Sequence, residues 1–230
     1  LLLPDTVSAR FRWQFRLWLA RSLELAQQVI CVSETARASV LDPSVTLVSV
    51  MLVNNEVGTI QPLAAVAEVV RTHAPDAVLH TDAAQALCWL DVREHAAAAD
   101  LVTLVAHKCG GPKGTGALLV RAGVRLEPLL LGGGQERERR SGTQDVAGAV
   151  AFAVAATSAA AGRDALVARA TAWRDALVGS VLATVPGAIE SAGADGDRAH
   201  LVAGIANLCL PAVDSEALLF LLEQDHRVLA

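Results

Sequence analysis

The sequence predicts an α/β fold, a mostly parallel sheet flanked by helices, followed by part of a smaller α+β domain. Three observations carry this expectation. Short β-branched apolar runs alternate with stretches of helical periodicity between residues 46 and 105. The runs end at residues with chemical function: Asn54-Asn55, Asp82 and His107-Lys108. A long Ala-rich helical stretch at 145–184 then leads toward a second region. The expected division is 1–159 for part of a large domain, with 1–41 atypical, and 160–230 for part of a small one.

The elements follow in chain order. Residues 46–53, VTLVSVML, read as a buried parallel strand followed by a loop. Residues 62–73 have helical periodicity, with Pro62 at a first-turn position. AVLHT at 77–81 is a second strand, ending at Asp82, and 92–99 is a short helix. DLVTLV at 100–105 is a third strand, ending at His107-Lys108. Glycines punctuate the chain up to Gly116, and ALLV at 117–120 returns as an antiparallel strand. Beyond the long helix, LVAGIANLCL at 201–210 reads as a buried strand that holds Cys209. Asp214 to Gln224 reads as a helix capped near Asp214.

Composition narrows the function classes. Of the 230 residues 53% are apolar but only 3% aromatic, so Ala, Val and Leu must build the core. A formal net charge of −5 argues against a general nucleic-acid binder, which needs a basic surface. Cys31, Cys88, Cys109 and Cys209 form no CxxC pair, so neither a metal site nor a disulfide framework is expected, and a reducing cytoplasm fits. In residues 11–31 arginines interrupt the apolar run, which suits an amphipathic helix better than a membrane span.

In open α/β sheets, ligands sit beyond the carboxyl ends of the strands. Asn55, Asp82 and Lys108 are delivered there by consecutive strands. A cofactor held on a lysine imine needs that lysine, an anion at its pyridine nitrogen, and donors for its phenolate and phosphate oxygens. Lys108 suits the first role and Asp82 the second; Gln85, Asn55 and His107 can supply donors. Taken singly, each has a plainer role: a solvated lysine, a helix-capping aspartate, amides satisfying a loop, a structural histidine. Their arrival together at three strand ends favours the site. GGPKGTG at 110–116 is neither a Walker A loop nor a dinucleotide fingerprint, which leaves a dinucleotide-binding domain without its motif.

Four runs make the pattern specific: NNEVGTIQP at 54–62, HTDAAQA at 80–86, AHKCGGPKGTGAL at 106–118 and GGGQERERRSGT at 132–143. They resemble the class V aminotransferase family, and within it the cysteine desulfurases and selenocysteine lyases of the NifS and IscS type. The resemblance spans roughly residues 42–225. It implies a fold-type I pyridoxal-phosphate-dependent transferase, linked to iron–sulfur cluster biogenesis and assembled as a homodimer. It implies removal of sulfur from L-cysteine, or selenium from selenocysteine, leaving alanine. The sulfur leaves as an enzyme persulfide that passes to an acceptor protein. By the same resemblance Lys108 carries pyridoxal phosphate and Asp82 pairs with its ring nitrogen. Gln85 and Asn55 bond the phenolate side, His107 donates to the phosphate, and Thr143 reaches the phosphate of the neighbouring subunit's cofactor. Glu136 to Arg140 fall in the active-site and dimer region.

The sequence departs from the family's pattern in four ways. Residues 1–45 match neither its upstream phosphate loop nor its ring-stacking histidine. The loop with the nucleophilic cysteine lies past the region of Val228, and the substrate-carboxylate arginine lies further on. Val105 stands where relatives often carry a phosphate-binding serine. The expectation is an incomplete chain with impaired or no turnover, or a non-catalytic remnant acting as a dimerisation or interaction module.

Overall fold

The computed structural model describes residues 28–29, 41, 43–192 and 196–228. Two compact units are present, one of residues 1–54 and 60–166, the other of residues 55–59 and 167–230.

The first unit is built on a five-stranded sheet in sequential order. Its strands are β1 (Gln28–Val29), β2 (Leu47–Met51), β3 (Val78–Asp82), β4 (Leu101–Val105) and β5 (Gly116–Val120). β1 to β4 are parallel and β5 runs antiparallel to β4, as the glycine-rich turn implies. β1 corrects the expectation of a helix over 11–31 at residues 28 and 29, whose backbone pairs with Leu47 and Val48. The rest of that stretch, Cys31 included, lies outside the described residues.

Alternation along the strands decides which face is buried. In β2 Val48 and Val50, and in β3 Leu79 and Thr81, are at most 2% exposed, while Ser49, His80 and Asp82 lie on the half-exposed face. The Thr81 hydroxyl satisfies itself in the core by donating to Val50 O at 2.9 Å. Helix α1 (Leu63–His73) follows Pro62, as expected, and buries Leu63, Ala67 and Val70, one stripe at helical spacing. Helix α2 (Val92–His95) is shorter than the expected 92–99. Asp91 caps it by accepting from Arg93 N, and the alanines beyond continue as hydrogen-bonded turns. The Arg93 guanidinium on the Asp91 carboxylate holds its pKa down at about 2.

Helix α3 (Val146–Thr184) is a single 39-residue helix, and the boundary between the two units falls within it. Asp145 accepts from Gly148 N at 2.9 Å at its start. Among the described residues it is the one helix long and apolar enough to cross a membrane, by length and composition alone.

The second unit has a two-stranded antiparallel hairpin, β6 (Ile189–Glu190) with β7 (Leu208–Cys209), and helix α4 (Ser215–His226). The strand expected over 201–210 shrinks to β7. Leu201 pairs instead with Thr59, Val202 N donates to Gly58 O, and the chain then turns at Ala203-Gly204. Cys209 is exposed rather than buried, with its sulfur 3.2 Å from Ser191 Oγ. Asp214 caps α4 as expected, accepting from Ala217 N at 2.9 Å. In this unit Glu190, 3% exposed, accepts from Arg198 Nε at 2.8 Å.

Candidate cofactor site at the strand ends

Strand register brings the central candidates to one end of the first unit's sheet. Asp82 closes β3, with Met51 of β2 and Thr103 of β4 as its Cα partners. The ladder runs past it on both sides, since Leu52 N donates to Asp82 O at 2.8 Å and Ala83 N donates to Thr103 O at 2.9 Å. The Asp82 carboxylate is therefore fixed in the middle of the sheet, where its Oδ1 accepts from Ala84 N at 2.9 Å. Oδ2 takes no hydrogen bond among the described residues. Gln85 follows in the turns that carry the chain from 84 to 90 and is half-buried.

Lys108 does not sit on the bare end of β4. It is the last residue of a 3₁₀ turn, Ala106–Lys108, laid across the strand's end. Ala106 anchors this turn. It is fully buried, its N donates to Thr115 O at 3.0 Å, and its O accepts from Cys109 N at 3.0 Å and Gly111 N at 2.9 Å. The anchoring leaves His107 and Lys108 exposed. Gly111 makes the close approach possible, because a Cβ there would lie 2.9 Å from Ala106 Cβ. The Lys108 ammonium has no carboxylate partner among the described residues.

Two cysteines border this turn. Cys88 Sγ donates to Lys108 O at 3.4 Å, and Cys109 Sγ donates to Ala106 O at 3.2 Å. Burial pushes both thiols up; for Cys88 the neighbouring Cys109 adds to the effect and Arg163 opposes it. Both are therefore poorer thiolate donors than a solvated cysteine.

The other expected residues lie on other segments of the chain. Asn55 lies four residues past the end of β2 and belongs to segment 55–59, which groups with the second unit. Thr143 is exposed in the loop before α3, with no hydrogen bond to any other candidate. In the same loop Glu136, Arg137 and Glu138 have φ of 53°, 58° and 64°. Three successive non-glycine residues in the left-handed region cost roughly 1–2 kcal/mol each. Gln135 Oε1 steadies this loop by accepting from Gly142 N at 3.0 Å.

Sequence reasoning assigned no role to His80, Ser49 or Thr103. Ser49 Oγ lies 2.7 Å from His80 Nδ1, and Thr103 Oγ1 lies 2.8 Å from His80 Nε2. The signal was present in the HTD run, because residues two apart on a strand share a face and so set His80 beside Asp82. Burial lowers the His80 pKa, and the Asp82 charge raises it less.

Comparison with known proteins agrees with this architecture. The class V aminotransferase family model matches residues 23–228. The chain is 42% identical over 194 residues to an IscS-like cysteine desulfurase of Mycobacterium tuberculosis, covering 84% of this chain and 48% of that protein. It is 37% identical over 189 residues to the cysteine desulfurase NifS of Azotobacter vinelandii, covering 81% and 45%. Among solved structures, a NifS-like protein superposes with a TM-score of 0.75 at 31% identity, covering 86% of this chain and 52% of that one. DndA from Streptomyces lividans superposes with a TM-score of 0.69 at 33% identity, covering 86% and 54%. The chain spans about half the length of each of these relatives.

Proposed function

The chain belongs to the class V aminotransferase family, whose members depend on pyridoxal phosphate, and from that premise we propose a cysteine desulfurase-like protein that holds this cofactor on Lys108. The observation that carries the reading is the pair left open at the strand ends. Asp82 is held through its backbone by the ladder, and among the described residues one of its carboxylate oxygens takes no hydrogen bond and exposed Lys108 has no ion-pair partner. An amine, a carboxylate, the amide of Gln85 and the imidazole of His107 make up a donor set that fits the group.

Bound pyridoxal phosphate supplies an electron sink for bonds breaking on the substrate amino acid. In this reading Lys108 Nζ would hold the cofactor through its aldehyde carbon and would move protons at the substrate carbons. Asp82 holds the proton on the ring nitrogen. Gln85 and Asn55 donate to the phenolate oxygen, and His107 donates to the phosphate. Val105 has no hydroxyl, so the phosphate loses one donor relative to a serine there. L-cysteine, or selenocysteine, is the substrate. Its sulfur moves to an enzyme thiol, which becomes a persulfide while the substrate becomes alanine, and an acceptor protein takes the sulfur for iron–sulfur cluster assembly.

A homodimer in the cytoplasm completes the proposal. Thr143 reaches the neighbouring subunit's phosphate, and Val146, Val150 and Val154 support this. They lie at successive helical turns of α3 just beyond Thr143, and each is at least 59% exposed. The 230-residue chain by itself has little or no turnover. The raised thiols of Cys88 and Cys109 favour this, and they equally favour a second reading, a non-catalytic module of the family.

Purification with added pyridoxal phosphate tests the cofactor claim. The expected result is the visible absorbance band of the lysine-bound cofactor, lost in Lys108→Ala. Absence of the band, or its survival in that variant, overturns the reading. Sulfide release from cysteine separates desulfurase from module.

A further inference from the structure

Ser49, His80 and Thr103 form a row of side chains across β2, β3 and β4. Ser49 is the Cα partner of His80, and Thr103 is the Cα partner of Asp82, so the row runs diagonally up to the strand ends. Both ring nitrogens are engaged, Nδ1 by Ser49 Oγ at 2.7 Å and Nε2 by Thr103 Oγ1 at 2.8 Å. A neutral imidazole offers one donor and one acceptor, and a hydroxyl can serve as either, so the row is satisfied with no charge on the ring. Alternation sets His80 and Asp82 on the same face of β3, opposite the buried Leu79 and Thr81.

Burial of the half-buried ring favours its neutral form, lowering its pKa by more than the Asp82 charge raises it. Asp82 is the charged group that acts on it among the described residues, and its partners on β2 and β4 are hydroxyls. An apolar side chain here would break both bridges, to β2 and to β4, two residues before Asp82.

We propose that His80 is a positioning residue, tied to Ser49 and Thr103 across three strands so that the end of β3 stays in register and Asp82 is presented squarely to the ring nitrogen of the cofactor. This rests on the reading of Asp82 given above. The residue acts through Asp82 and touches neither cofactor nor substrate.

The test compares the affinity of the full chain for pyridoxal phosphate and for its 1-deaza analogue, which carries C–H in place of the ring nitrogen. The ratio of the two isolates the nitrogen's contact from the aldehyde and phosphate contacts. The parent chain is expected to prefer pyridoxal phosphate by about tenfold or more, the worth of a charged hydrogen bond. His80→Leu should lower that preference by roughly three- to tenfold, whereas His80→Gln, neutral with one donor and one acceptor, should keep it. Ser49→Ala and Thr103→Val remove one contact each without touching the ring and should lower it by about two- to threefold, a milder test if His80→Leu does not fold. In an Asp82→Asn background His80→Leu should change the ratio no further.

An unchanged ratio in His80→Leu or in both hydroxyl variants, with affinity for the two probes falling together, overturns the proposal and makes the row structural. A parent chain that takes up neither probe overturns the cofactor reading itself. Uptake of both probes equally by the parent overturns the role of Asp82 and with it that of His80.

Discussion

Gly111→Ala adds one methyl group at the point where the chain passes closest to the turn that carries Lys108. The new Cβ would lie 2.9 Å from Ala106 Cβ and 3.1 Å from Ala106 O. Carbon atoms pack best at about 3.5–4.0 Å, so the two segments must part by roughly 0.6 Å or more. Ala106 cannot yield easily, being fully buried and held by hydrogen bonds through both its N and its O. Forced overpacking of this kind costs about 1–3 kcal/mol. For a chain of this length that lowers the melting temperature by about 2–4 °C per kcal/mol. The same substitution at Gly162 should have the opposite sign. Gly162 lies inside α3 with nothing within 4 Å of an added Cβ, so alanine there relieves the entropic penalty of glycine and stabilises by about 0.5–1 kcal/mol. Thermal unfolding followed by circular dichroism reads both variants against the parent. The reasoning is refuted if Gly111→Ala melts at or above the parent, or if the two variants shift the same way. Because the displaced turn ends in Lys108, Gly111→Ala should also weaken the cofactor band in proportion.

Asp214→Ala removes the cap of α4, a helix that buries no side chain and so has little packing to hold it. Loss of about 1 kcal/mol should appear as roughly fivefold faster amide exchange across residues 215–226, with the melting temperature unmoved; a lowered melting temperature without faster exchange there would refute it. Thiol labelling with iodoacetamide should mark exposed Cys209 before Cys88 and Cys109 at neutral pH. Thiolate is the reacting form and the pKa of these two is raised, so their labelling should keep accelerating as pH rises beyond the ordinary thiol range; equal rates at Cys88, Cys109 and Cys209 would refute the burial argument.

The parts of the fold legible in the sequence are those where a local pattern and a tertiary demand coincide. Val48 and Val50 alternate with Ser49 because the sheet has one buried face, and the same alternation is written in the letters. Asp214 caps α4 with its own side chain three residues back from Ala217, which needs no knowledge of the rest of the molecule. Where the deciding contact is remote, the letters mislead. The apolar run 201–210 reads as one strand, yet Leu201 is claimed by Thr59 and β7 by Ile189 and Glu190, partners far away in the chain. Residues 28 and 29 sit at the end of an amphipathic-looking stretch but are claimed by β2. The site divides on the same line. Asp82 was legible as a strand ending, because a parallel strand delivers its last residue to the ligand end wherever its neighbours lie, and Lys108 as the close of the short turn that follows β4. Asn55 also follows a strand, but three residues separate it from β2, and it belongs to a segment that groups elsewhere. His80 is the intermediate case. Its face was fixed by its distance of two from Asp82, while its hydroxyl partners come from β2 and β4 and depend on register, which a single strand does not encode. The functional weight of a strand residue thus follows from the residue beside it on the sheet, and a histidine that looks structural in its own strand becomes chemical through the carboxylate it accompanies.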